Sequence, residues 1–166
     1  MTQKEILLHQ MAACLNETNW FVTIQTALKD LTAEQASAHG IGAPNNIAGI
    51  VNHIVYWNER YLNHYRGIKN PKMEIENEQT FNTSNPVLSE KDWSEIVARL
   101  YRVLGEFYEE VKNADEEKLQ SSSFGGTDDS WYSVFANSSI HIAYHIGQIV
   151  TLRKEQGSWN PDLGVK

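Results

Sequence analysis

An all-α fold, built as a bundle of four long helices, is what the sequence predicts. Three observations carry that expectation. Four long segments repeat apolar residues at three- and four-residue steps, which puts those residues on one face of a helix. No segment shows the alternating, β-branched pattern of strands bounded by hairpin turns. The 166 residues, 41% of them hydrophobic, suffice for one core and show no compositional break, so 1–166 reads as a single domain.

The first helix is expected from about Lys4 to Leu28, with Leu7, Met11, Cys14, Phe21 and Leu28 on one stripe and Trp20 and Ile24 beside it. Thr32 and Gln35 then fit a capping box, in which each side chain satisfies the other's backbone donor, so a short connector helix follows. Pro44-Asn45-Asn46 suits the start of the second long helix, which runs through Ile47, Ile50, Val51, Ile54, Trp57 and Tyr61 and stops near Gly67. The stretch from Ile68 to Leu88 is polar, carries Pro71 and Pro86, and is far longer than a turn between antiparallel neighbours. It must cross the bundle or form a lid.

Ser89 opens the third helix, whose stripe of Trp93, Ile96, Val97, Leu100, Leu104, Phe107 and Val111 is the cleanest in the chain. Ser121 to Gly126 interrupts the pattern, with Gly125-Gly126 as a flexible hinge. Asp128, Asp129 or Ser130 caps a fourth helix that ends at Gly157, ahead of Pro161. There is no internal repeat and no glycine loop of the phosphate-cradling kind.

Composition narrows the function. Apolar runs are only a few residues long, and the start MTQKEILLHQM lacks the basic and apolar regions of a signal peptide, so a soluble cytoplasmic protein without membrane contact is expected. The single cysteine, Cys14, excludes an internal disulfide and agrees with a reducing compartment. A formal charge of −7 without a lysine and arginine cluster argues against a nucleic-acid partner, whose phosphates would be repelled.

The fourth helix carries HIAYHIGQI, His141 to Ile149. His141 and His145 lie one turn apart on one helix face and can address one ion, but Ile142 stands where a zinc peptidase carries its glutamate base. Two ligands do not make a site. His53, on the edge of the second helix's apolar stripe, is the candidate third ligand; its alternative is a buried neutral histidine bonded to a neighbour. His64 is about 16 Å further along the same helix axis and cannot share that ion, while His9 and His39 read as surface residues.

Gln148, one turn beyond His145, can orient an imidazole or a water, or serve as an ordinary polar helix residue. Gly147 can let helices approach closely. Glu59 and Arg60 read as solvated charges, and Asn52 and Asn58 as surface or local hydrogen bonders. Tyr56, Trp57, Tyr61, Trp131 and Tyr132 are either core or the lining of an apolar pocket, and Cys14 reads as a small core residue rather than a nucleophile.

These residues resemble the DinB superfamily, including its YfiT-like members. The resemblance rests on one histidine in the second helix, His53 in NHIVYWNERYL, and a pair in the last helix, in HIAYHIGQIVTLR from His141 to Arg153. It implies an up-down-down-up four-helix bundle with a long crossover between the second and third helices. It also implies a divalent metal, zinc or nickel, held by His53, His141 and His145, and often a homodimer. Some members transfer a low-molecular-weight thiol to an electrophilic small molecule, and that is the leading expectation for activity. Metal-assisted hydrolysis, and a non-catalytic dimeric metal- or ligand-binding module of a stress response, stay open beside it. Three imidazoles leave a coordination position for substrate, as a working site requires.

Overall fold

The computed structural model describes residues 1–72, 75–83, 88–124 and 128–165. The reading of Gly125-Gly126 as a hinge, and Pro86 in the connection, lie outside these residues. Helices α1 (Gln3–Leu15), α4 (Ile47–Tyr65), α5 (Glu90–Asn113) and α7 (Trp131–Glu155) are long; α2 (Ile24–Leu28), α3 (Ala33–Ser37) and α6 (Glu116–Gln120) are single short turns. Among the described residues there is no strand, only an isolated bridge between Ser122 and Ser130. No helix among them is long and apolar enough to cross a membrane.

The first long helix is shorter than the sequence suggested. Asn16 ends α1, its N–H and that of Glu17 both reaching the Ala12 carbonyl, and Thr23 opens α2 by accepting a bond from the Thr26 N–H. Between them Asn16-Glu17-Thr18-Asn19 has nothing apolar to bury, and Asn16, Thr18 and Asn19 are poor helix formers. Trp20 therefore stands 94% exposed instead of lying beside the stripe. The other helix starts agree with the sequence: Thr32 and Gln35 form their capping box, Asn46 caps α4, Ser89 caps α5 with Asp92, and Ser130, not Asp128 or Asp129, caps α7. Gly67 and Gly157 both adopt φ 72°, the left-handed conformation that closes α4 and α7.

α1 packs on α5 and α7, and α4 packs on the same two. Glu59 pairs with Arg99 and Arg102, and Arg66 pairs with Glu106 and Glu110, so numbers rise together and α4 and α5 run parallel. His53, Asn58 and Tyr65 meet His141, Ser138 and Trp131 in reverse order, so α4 and α7 are antiparallel. Glu59 is thus an interhelix ion-pair partner rather than a solvated charge, though pairs this exposed contribute little stability. The core between the helices holds Ile50, Val51, Ile54, Leu100, Val103, Phe107, Phe135, Ile142, Ile146 and Ile149.

Two buried polar arrangements fix the frame of the site. Asn58 is fully buried, not at the surface: its amide donates to the Ile54 carbonyl at 2.7 Å, and its oxygen accepts from the Ser138 hydroxyl at 2.6 Å. That bond locks α4 against α7 in register, since a slip would bury both groups unpaired. Arg153, 2% exposed, donates to the carbonyls of Ala27, Lys29 and Ser158, which caps the end of α2 and holds the chain after α7.

Candidate metal centre

His53 projects from the middle of α4, and His141 and His145 from adjacent turns of α7, because the antiparallel packing brings these turns face to face. The His141 Nε2 lies 3.2 Å from the His53 Nε2 and 2.9 Å from the His145 Nε2. One ligand atom from each residue lies within 4.8 Å of the others, and the three histidines form a group able to hold one ion. Nitrogens about 2.0–2.1 Å from a tetrahedral zinc sit about 3.3 Å apart, close to these spacings.

The outer nitrogens set the tautomers. The Thr80 hydroxyl donates to the Asn77 carbonyl at 2.6 Å, so toward the His53 Nδ1, 2.5 Å away, its oxygen accepts. The His53 proton therefore sits on Nδ1 and its Nε2 offers a lone pair. The Gln148 amide donates to the Tyr144 hydroxyl at 3.0 Å, leaving its oxygen to accept from the His145 Nδ1–H at 2.7 Å. His145 likewise turns a lone pair inward. The His141 Nε2 faces both lone pairs and as a neutral N–H can satisfy only one, so the trio suits a shared cation better than its own protons.

Burial reinforces this. His53 and His145 are each 3% exposed, and His141 is half-buried. Desolvation, followed by repulsion from His145 and His141, lowers the His53 pKa to about 3. Desolvation also lowers the His145 pKa to about 4, against the Gln148 bond, which raises it. Burial lowers His141 too. All three rings are neutral near neutral pH.

The connection after α4 supplies the cover. A 3-10 helix, Asn77–Phe81, lies along α4, where the Asn52 amide donates to the carbonyls of Thr80 at 2.9 Å and Asn82 at 2.8 Å. Asn52 is thus a clamp, not a free surface side chain. Gly49 permits the contact, since a Cβ there would lie 2.5 Å from the Phe81 carbonyl oxygen. Phe81 then stacks on the His53 ring, centroids 4.0 Å apart and planes at 10°. Thr80, Phe81, Asn52 and Gly49 are parts of the site that sequence reasoning missed; the NEQTF stretch has no periodicity that links it to His53.

The remaining candidates fall into place around this group. His64 bonds to the Ser123 carbonyl at 2.8 Å, well away from the trio, and His9 and His39 are exposed, as expected. Gly147 does not serve a close helix approach: nothing lies within 4 Å of a Cβ there among the described residues. Cys14 is buried, its thiol donating to the Ser139 carbonyl at 3.2 Å, and burial raises its pKa to about 11, which keeps it an inert thiol. Trp57 and Tyr61 line a groove of about 480 Å³ that reaches His53 and His141, whereas Trp131 is core.

The description of the DinB superfamily matches residues 17–149, most of the chain and all three site histidines. The chain belongs to the DinB superfamily. No curated protein and no solved structure matches it. The three-histidine group and the membership together fit a metal-binding DinB-type protein. The match ends before Arg153, to which the structure gives a capping role at the end of α2.

Proposed function

We propose that this DinB superfamily protein is a metal-dependent enzyme that holds zinc or nickel at His53, His141 and His145 and transfers a low-molecular-weight thiol to an electrophilic small molecule. The observation that carries the reading is the convergence of the three Nε2 atoms, with two outer nitrogens fixed by Thr80 and Gln148, at the end of an open groove. A divalent ion bound there supplies Lewis acidity, which favours thiolate over thiol at neutral pH. The chain's part is to keep three neutral imidazoles aimed at one point, exclude water on the Phe81 side and leave the groove side open. The thiolate sulfur forms a bond to the electrophilic carbon, the leaving group departs with its electron pair, and the thiol proton passes to groove water.

No aspartate or glutamate among the described residues joins the histidine group, which disfavours hydrolysis needing a carboxylate base there. Cytoplasmic placement suits the proposal, because small thiols are kept reduced in that compartment. The test is steady loss of thiol in the presence of monobromobimane, with the zinc- or nickel-loaded protein beside its His53→Ala variant. Metal-dependent thiol loss supports transfer. Turnover without thiol would move the assignment to hydrolysis, and a fully loaded but inactive protein would make it a binding module.

A homodimer through the outer face of α7 belongs to the same proposal. From Trp131 to Leu152 that helix has no aspartate, glutamate, lysine or arginine, and Ile140, Tyr144, Gly147 and Thr151 face outward. Ile140 and Tyr144 are 63% and 62% exposed. Two copies of a chain with net charge −7 repel least through an uncharged face.

A further inference from the structure

The groove leading to the histidines has two unlike walls. On α4, Trp57 and Tyr61 follow His53 at four-residue steps, with their rings 6.0 Å apart, and Phe124 extends this surface 6.4 Å from Tyr61. Asn77 accepts from the Trp57 indole N–H at 3.3 Å and fixes the ring's tilt. On α7, His141, Asn137 and Ser133 face the groove at the same four-residue steps, with Asp129 just before the helix. Eight residues of helix place Ser133 about 12 Å from His141 along the axis.

Charge in the groove has one sign. Asp129 is the sole charged side chain among its described lining residues, with no lysine or arginine to pair it. The N-terminus of α7 would otherwise favour an anion at this mouth, but Asp128 and Asp129 offset its partial positive charge, and the Ser133 N–H is already taken by the Ser130 hydroxyl at 3.3 Å. An aromatic wall opposite an exposed carboxylate recognises a cation with an apolar body.

We infer that the groove takes a small molecule with a flat apolar body and a positively charged amine end, the amine seated at Asp129 and the body along Trp57 and Tyr61. That its other end carries the group reacting at the histidines rests on the proposed function; the recognition of the amine does not. Asn137 and Ser133 add hydrogen bonds along the polar wall.

The test is calorimetric titration of the zinc-loaded protein with 4-phenylbutylamine, 4-phenylbutan-1-ol and 4-phenylbutyrate, none of which carries sulfur. The amine is expected to bind roughly tenfold tighter than the carboxylate, with the alcohol between them. The preference should shrink in high salt and vanish in Asp129→Asn, which keeps its zinc content and helical content. Equal or reversed affinities, no binding by any of the three, or a preference that survives Asp129→Asn would each overturn the inference. Failure of the thiol reading registers separately, as a cobalt-substituted protein whose visible spectrum ignores added thiol while the amine preference stands.

Discussion

Gly49→Ala reaches the histidine group through a backbone contact one turn before His53 on the same face of α4. A Cβ at position 49 would meet the Phe81 carbonyl oxygen at 2.5 Å, where ordinary C···O contact is about 3.3 Å, so the Asn77–Phe81 turn must retreat by about 0.8 Å. The turn is held by the two Asn52 bonds and by Thr80 against His53, at roughly 1 kcal/mol net each. Alanine returns about 1 kcal/mol of helix propensity, so net destabilisation should be about 1–2 kcal/mol, a fall in Tm of roughly 3–6 °C. Metal affinity is the sharper readout. With Thr80 displaced from the His53 Nδ1, it should drop about 10- to 100-fold, the usual cost of losing an outer partner of a histidine ligand. Competition against a chromophoric zinc chelator measures this directly. A variant with unchanged zinc affinity and an equal or higher Tm would refute the role given to the turn.

Other substitutions separate the site from the frame. Gln148→Ala should weaken zinc about tenfold or more, whereas Gln148→Glu, which keeps the acceptor facing the His145 Nδ1–H, should hold or strengthen it; equal losses in both would remove Gln148 from the site. Arg153→Lys should cost about 2 kcal/mol in chemical denaturation, because one ammonium cannot reach the carbonyls of Ala27, Lys29 and Ser158 together, with one metal per chain retained. For the metal-free protein, His53 and His145 have folded pKa values of about 3 and 4 against 6.5 when unfolded, so between those limits the unfolded chain binds more protons. Stability should therefore fall as pH drops from 6.5 toward 4, and a Tm that stays flat over that range would contradict the buried neutral trio. Ile140→Glu should convert a dimer to monomer by light scattering; a wild-type monomer at working concentration would sink the dimer itself.

The parts of the fold legible in the sequence are those where one local pattern decides. The stripe of α5 and the caps at Asn46 and Ser89 were readable because periodicity and capping act within a few residues. The break after Leu15 was less so: Phe21 and Leu28 continue the helical count, and only the polar run from Asn16 to Asn19 argues against it. The three histidines could be singled out because the pair has helical spacing and His53 sits on an apolar edge. Their surroundings were hidden, since Thr80 and Phe81 come to His53 through a connection placed by tertiary contact with Gly49 and Asn52. Glu59 was misread for a related reason, its partners Arg99 and Arg102 being distant in sequence, whereas Asn58 does bond locally, to Ile54, and only its burial against the distant Ser138 was hidden.

The most direct test of the metal centre is elemental analysis of tag-free protein, offered zinc and nickel and then dialysed, beside His53→Ala. One divalent ion per chain, lost in the variant while helical content is retained, is the predicted result. A wild-type protein that holds no ion would contradict it, and so would a variant that keeps the full complement.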